Sequence, residues 1–297
     1  MIELVFLGTS SMVPTKERNQ SGVLISYKTH GILVDCGEGT QRQFKIAKIP
    51  LTKVTKILIT HWHGDHTLGL PGLIQSLGAS EYTKKLEIYG PPETKKHFEY
   101  MFKTFLMDRK INFEVIEIDQ GKFFENEDFT LEAYELDHGL TTFGYNFIEK
   151  DKRKVLMTKV KKLGLKEGPV LGKLQKGKNV TFKGKKITPD DVTKIMEGKK
   201  ISIISDTKLC DNCFKMAQDS DLLICESTYS SKLEEKGESY NHMTAKQAAL
   251  IASKANTKKL VLTHFSARYK TTGELLEDAK NYFDNTFCGY DFMKVKL

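Results

Sequence analysis

The sequence predicts an α/β fold made of two β-α halves, separated by a basic insertion. Three observations lead there. Apolar, β-branched runs alternate with helical patterns through the first 150 residues. The same alternation resumes after residue 200. Between them, about fifty residues rich in lysine and glycine break the pattern. At 297 residues the chain exceeds the usual domain size, yet one large α/β domain of this length is common. We read 1–297 as a single domain, interrupted at about 150–200.

Strands are expected at Glu3–Leu7, Val23–Tyr27, Ile32–Asp35, Lys56–Ile59, Leu86–Tyr89, Phe113–Ile118, Phe129–Leu136 and Phe143–Glu149. Helical spacing fits Gln41–Ala47, Leu68–Leu77 and Glu93–Leu106. In the second half, strands fit Ile201–Ser205, Leu222–Cys225, Lys259–Thr263 and Asp291–Val295. Helices fit Asn212–Asp219, Ala245–Ala255 and Gly273–Phe283. Two such halves would pack sheet against sheet, with the helices outside.

A composition of 39% hydrophobic and 28% charged residues is that of a soluble globular protein. No apolar run approaches the roughly 18 residues that span a bilayer, so no membrane association is expected. The opening "MIELVFLGTSS" places an acid at Glu3 and has no basic leader, so no secretory signal is expected. Five cysteines argue against a disulfide framework and for a reducing compartment, by default the cytoplasm. Cys210 and Cys213 form one C-x-x-C, too little for a four-cysteine zinc site and without a thioredoxin-like context. They are read as incidental.

The net charge of +8 is concentrated in one place. Residues 150–200 hold 17 Lys and Arg against 5 Asp and Glu, a local +12; the remainder of the chain carries −4. Gly164, Gly168-Pro169, Gly172, Gly177 and Gly184 mark this stretch as an excursion with turns. A charge imbalance confined to one segment points to contact with a polyanion.

"THWHGDHTLGLPG", Thr60 to Gly72, packs three histidines and an aspartate into six residues directly after a strand. His61, His63, Asp65 and His66 offer imidazole nitrogens and a carboxylate, the donor set of Zn²⁺ or a similar first-row metal. More ligands are available at the ends of other strand-like runs: His138 in "ELDHGL", Asp206 in "ISIISDT" and His264 in "LTHFSARY". A carboxylate can bridge two cations, which suits Asp206. His242, in "YNHMTA", is a further candidate. His30 and His97 are read as structural, in a turn and an amphipathic helix.

His61-Trp62-His63-Gly64-Asp65-His66 is similar to the HxHxDH signature of the metallo-β-lactamase superfamily. Asp35 in "ILVDCGEG", His138, Asp206 and His264 fall in its other motif positions, in order. Within the superfamily the chain resembles the ribonuclease Z (tRNase Z) family nearly end to end. "PTKERN", Pro14 to Asn19, resembles that family's PxKxRN loop. "CESTY" stands where the family has HEAT and "HMT" where it has HST. Cys225 thus departs from the usual histidine, while Glu226 and Thr228 remain.

The resemblance implies an αββα sandwich carrying an inserted tRNA-clamping arm that includes Gly168 and Pro169. It also implies two zinc ions. His61, His63 and His138 would hold one, Asp65, His66 and His264 the other, with Asp206 bridging. The implied reaction is water attack on phosphorus that removes the 3′ trailer of precursor tRNA, leaving a tRNA 3′-hydroxyl and a trailer 5′-phosphate. Asp65 would accept a proton from the water, which the metals would activate. His242 would protonate the leaving oxygen, oriented by Glu226, and Asp35 would orient the site. Lys16 and Arg18 would contact the tRNA, and the enzyme would be a homodimer. Two other classes meet the residues less well. A small-molecule hydrolase leaves the +12 segment unused, and a nonenzymatic RNA-binding protein leaves seven convergent ligands without purpose.

Overall fold

The computed structural model describes residues 1–105 and 110–297. Its strands, in chain order, are β1 (Ile2–Gly8), β2 (Gly22–Tyr27), β3 (His30–Val34), β4 (Lys56–Leu58), β5 (Leu86–Gly90), β6 (Phe113–Glu117), β7 (Gly121–Glu125), β8 (Phe129–Asp137) and β9 (Thr141–Glu149). There follow β10 (Lys152–Val155), β11 (Val180–Phe182), β12 (Lys185–Ile187), β13 (Thr193–Met196), β14 (Lys200–Ile204), β15 (Leu222–Glu226), β16 (Leu260–Thr263), β17 (Thr286–Cys288) and β18 (Lys294–Lys296).

Two seven-stranded sheets result. One has the order β18-β1-β2-β3-β4-β5-β6 and the other β17-β16-β15-β14-β9-β8-β7. From β3 to β6, and from β14 to β17, neighbours pair parallel. Parallel strands are covered on both faces, which is why they read as unbroken apolar runs. The inner faces meet through aromatic side chains. Tyr27 lies edge-on to Phe147 at 5.5 Å, and Tyr145 donates its hydroxyl proton to the Ile59 carbonyl at 2.6 Å.

On the outer face of the first sheet, Val5, Leu24, Leu33, Ile57 and Ile88 pack with helical Phe44, Leu73, Leu77 and Phe98. On that of the second, Ile204, Leu223 and Leu262 pack with Met216, Ala248, Ile251 and Leu275. The layers are helix, sheet, sheet, helix, as expected. At Gly69 a Cβ would sit 2.0 Å from the Gly37 carbonyl oxygen, so only glycine lets helix Leu70–Ala79 start this close to the residues after β3.

Several boundaries differ from the sequence reading. The helix expected at Leu68–Leu77 is a short turn, Gly64–Thr67, followed by Leu70–Ala79. His30 begins β3 rather than sitting in a turn. The last strand is Lys294–Lys296, because Asp291 turns aside to accept hydrogen bonds from Thr9, Asn19 and Gln43. The helix expected at Glu93–Leu106 is seen as Thr94–Thr104, and Leu106 lies outside the described residues.

The chain divides into two compact units. The larger comprises Met1–Phe124, Leu131–Phe147 and Lys200–Leu297; the smaller comprises Glu125–Thr130 and Ile148–Lys199. The smaller unit has its own apolar centre of Val160, Leu165, Leu171, Leu174, Ile187 and Val192. In it β10 pairs antiparallel with β13, and β11 with β12 through a turn at Lys183 and Gly184. Both turn residues have positive φ (48° and 73°), the backbone that suits the twist of a two-residue hairpin. No helix among the described residues is long and apolar enough to cross a membrane.

Candidate metal centre

The larger unit assembles a cluster of polar side chains from residues just past the carboxyl ends of β3, β4, β8, β14 and β16, the usual place for a site in a parallel sheet. Asp35, after β3, organises the first part. It accepts hydrogen bonds from the Thr60 amide at 2.9 Å, from the Thr60 hydroxyl and from His66 Nδ1 at 2.8 Å. The helical turn Gly64–Thr67 then delivers Asp65 and His66 to the interior, both buried. Trp62, between two of the histidines, is held by a hydrogen bond from its indole N–H to Thr94 and by stacking on His97 at 4.5 Å.

His138, after β8, donates from Nδ1 to the Asn241 carbonyl at 2.8 Å, which leaves Nε2 as its electron-pair donor. Nδ1 of His63 lies 3.0 Å from His61 Nε2 and 3.2 Å from His138 Nε2. Asp206 sits between two groups of ligands. Its Oδ2 is 3.8 Å from His61, 3.8 Å from His138 and 3.3 Å from His66, and its Oδ1 is 3.1 Å from His264 Nε2. His264 Nε2 is also 3.4 Å from Asp65 Oδ2. The donor atoms of His61, His63, His138 and Asp206 lie within 4.8 Å of one another, as do those of Asp65, His66, Asp206 and His264. All seven residues singled out in the sequence converge.

Asp35 and His264 both hold left-handed backbone, at φ 59° and 60°. Such a conformation costs a residue other than glycine on the order of 1 kcal/mol, and it concentrates at functional sites. Here it turns each side chain back toward the cluster immediately after a strand.

Electrostatics prepare the set for a cation. Burial, and next the His66 charge, push the His61 pKa well below its ordinary value. Burial and His138 lower that of His63, so both rings are neutral donors. Burial opposes ionisation of Asp65, but hydrogen bonds from His264 and His66 hold its carboxyl well below the usual range. At Asp206 burial is likewise overridden, by the charges of His264 and His66. His66 shows what is missing. Its Nε2 is buried with no well-aligned hydrogen bond and faces the oxygens of Asp65 and Asp206 at 3.4 and 3.3 Å. Despite its burial, the charges of Asp206 and Asp35 raise its pKa well above the ordinary value. A proton or a metal cation satisfies that pair of carboxylates. Neutral imidazoles and ionised carboxylates are the state in which these groups ligate, and the residues therefore fit a metal site.

Beside this cluster, Glu226 at the end of β15 accepts from His242 Nδ1 at 3.0 Å, from the Thr207 amide at 2.7 Å and from the Thr228 hydroxyl at 2.7 Å. Burial disfavours charge on His242, yet Glu226 raises its pKa to about 9.

Comparison with known proteins gives the family. Ribonuclease Z of Methanothermobacter thermautotrophicus is 41% identical over 300 residues, spanning 100% of this chain and 97% of that protein. The chain belongs to the ribonuclease Z family. Ribonuclease Z of Bacillus mycoides is 39% identical, over 98% of this chain and 97% of that one. The crystal structure of human tRNase Z, short form, superposes with a TM-score of 0.73 at 26% identity, covering 99% and 98% of the two chains. Residues 2–161 also match the family model described as anti-Pycsar protein Apyc1, a stretch with His61, His63, Asp65, His66 and His138 but without Asp206 and His264.

Against the motifs read as ribonuclease Z-like, Cys225 points to the outer core beside Leu223 and Leu262, fully buried, so the histidine it replaces has no counterpart at the centre. The Pro14–Asn19 loop requires a correction. Lys16 is exposed, but Arg18 is 8% exposed and donates from Nη2 to the Tyr269 carbonyl. Arg18 therefore ties the loop inward rather than reaching out to a phosphate. Gly168 and Pro169 open helix Pro169–Gln175 in the smaller unit, away in sequence from every ligand. Thr60, Trp62 and the Asn241 carbonyl were missed. Thr60 and Trp62 could have been suspected as neighbours of His61, whereas a backbone carbonyl leaves no trace in sequence.

Proposed function

We propose that this chain is a two-zinc endoribonuclease that removes the 3′ trailer of precursor tRNA. The observation that carries the proposal is the convergence of seven metal-type ligands, Asp206 common to both groups, in a chain of the ribonuclease Z family. His61, His63 and His138 would hold one cation, Asp65, His66 and His264 the other, and Asp206 both. Zinc suits the nitrogen-rich donors. Bound there, two divalent cations would activate the attacking water and neutralise charge on the phosphoryl oxygens.

The chain's own residues supply the rest. Asp65, held ionised, takes the proton of the attacking water. Glu226 occupies His242 Nδ1, so Nε2 is left to give its proton to the departing ribose 3′-oxygen. The tRNA keeps a 3′-hydroxyl and the trailer a 5′-phosphate. The lysines of the smaller unit bind tRNA phosphates, the segment containing Gly168 and Pro169 forms the arm, and Lys16 contacts the acceptor end. The active form proposed is a homodimer in the cytoplasm.

The test is incubation with a precursor tRNA, with and without a chelator, followed by end-group analysis. Chelator-sensitive release of a 5′-phosphorylated trailer supports the reading. Hydrolysis of small esters with no action on precursor tRNA excludes it. Sedimentation velocity decides the dimer.

A further inference from the structure

Cys210 and Cys213 are absent from the reaction just described, yet the fold brings them together. Their sulfurs lie 3.5 Å apart, with Cys210 half-buried and Cys213 fully buried. The other three thiols are less available. Cys36 and Cys225 are fully buried, and Cys288 donates to the Thr272 carbonyl. Cysteine occurs in none of the metal-type clusters found among the described residues.

The two thiols are unequal. A hydrogen bond from Cys213 lowers the Cys210 pKa to about 6, helped by the amides of Cys213 and Asn212 and by the Thr207 hydroxyl. The same bond, with burial, raises that of Cys213. Cys210 also borders a cavity of about 520 Å³ whose other wall includes Asp137, His138, Gly139 and Leu140. An accessible thiolate beside a protonated partner is the arrangement of an attacking and a resolving cysteine.

The segment that carries Cys210 is also tied to the metal centre. Thr207 follows Asp206, donates its amide proton to Glu226 and accepts from the Asp137 amide. The Lys208 amide donates to the Asp137 carbonyl, next to His138. A disulfide needs its sulfurs at about 2.05 Å, so forming one pulls Cys210 toward Cys213 and strains this tether.

We propose that Cys210 and Cys213 form a reversible disulfide that lowers RNA cleavage when a peroxide is present. The Cys210 thiolate attacks a peroxide oxygen, the O–O bond breaks, and sulfenic acid and, after protonation, water are produced. The Cys213 sulfur then attacks the Cys210 sulfur, the S–O bond breaks, and a second water leaves. Two thiols are oxidised and one hydrogen peroxide is reduced to two waters. Transient, sensing disulfides are the kind that cytoplasmic proteins use.

Regulation of cleavage rests on the function proposed above, so the first measurement is independent of it. Metal-loaded protein treated with hydrogen peroxide should lose two of its five titratable thiols and 2 Da of intact mass, with residues 210–213 recovered as a cross-linked peptide. Cleavage of precursor tRNA should fall by about tenfold, the low end for disturbing an outer partner of a metal ligand, and return with dithiothreitol. The variant Cys210→Ser should cleave normally and resist peroxide. Five thiols remaining after treatment would overturn the proposal, as would full activity of the cross-linked protein or equal peroxide inactivation of Cys210→Ser. Untreated protein that fails to cut precursor tRNA, while still forming the disulfide, would instead discredit the proposed function alone.

Discussion

Asp35 Oδ2 accepts the Nδ1 proton of His66 at 2.8 Å, which fixes the ring so that Nε2 faces the carboxylates of Asp65 and Asp206. Asparagine tolerates the left-handed backbone that Asp35 adopts, so Asp35→Asn changes the hydrogen bond with little effect on the turn. Metal affinity should fall 10- to 100-fold, the usual cost of losing such a partner. Competition with a chromophoric chelator measures it. Unchanged affinity would mean that Asp35 only shapes the loop.

His63 is the half-exposed member of its ligand group, its Nδ1 flanked by the ring nitrogens of His61 and His138. His63→Ala should reduce bound zinc from two per chain toward one and nearly abolish cleavage. Binding of tRNA should stay largely intact, because the lysines proposed to supply affinity lie in the other unit. Elemental analysis and a gel-shift titration report the two effects separately. Full zinc content in the variant would remove His63 from the ligand set.

The hydrogen bond between Glu226 and His242 predicts a substrate-dependent loss. His242→Ala should slow RNA cleavage by roughly 10²–10⁴-fold, the ordinary contribution of a general acid. A nitrophenyl phosphodiester has a leaving group that needs no proton, so its hydrolysis should fall far less. Equal losses on both substrates would assign His242 a structural or metal-supporting role.

β9 and β14 are neighbours in their sheet, and the chain between them is the lysine-rich excursion. Replacing residues 150–200 with a short Gly/Ser turn should therefore spare the metal centre and hydrolysis of the small diester. It turns a +8 protein into a −4 one, and tRNA affinity should drop severely. If the arm neutralises about four phosphates, affinity of the intact protein should fall with a log–log salt slope near −3, roughly sixtyfold over a fourfold rise in salt. An unchanged slope after deletion would show the lysines to be merely solvated.

Asp291 sets a pH dependence of stability. Burial pushes its carboxyl up to about 6, against hydrogen bonds from Asn19 and Thr9. The folded state thus holds this proton more tightly than the unfolded chain, whose carboxyl titrates near 3.9. Its stabilising contribution is complete below about pH 4 and disappears as pH rises through about 6. With partial exposure discounted, the change is about 2 kcal/mol. Denaturant unfolding of the parent and of Asp291→Ala should differ more at pH 4 than at pH 7. A pH-independent difference would refute the assignment.

The ligands were legible because the chain writes them densely: His61, His63, Asp65 and His66 share six residues, and His138, Asp206 and His264 each follow an apolar run. The buried parallel strands were legible for a related reason, since residues covered on both faces must be apolar. What escaped was set by tertiary contact. β7 reads Gly-Lys-Phe-Phe-Glu, too short and too charged to stand out, and is recruited by tilted and edge-on contacts of Phe123 with Tyr89 and Tyr145. The small elements of the basic segment were hidden by lysines that outnumber the few apolar residues at its centre. Arg18 was misread because a cation in a loop looks solvent-facing until the carbonyl that binds it, at Tyr269, is seen 251 residues away.

The last of the seven ligands is His264, and β1 acquires its outer neighbour only when Lys294–Lys296 pair with Glu3–Val5. During synthesis, a nascent chain that ends near residue 238 therefore holds six of the seven ligands but neither His242 nor the histidine that completes the second ligand group. Partial products released by a stalled ribosome or an early stop codon lack that complete group. The same dependence leaves β1 with an open edge until β18 has been made, and such an edge is open to pairing with a stranger.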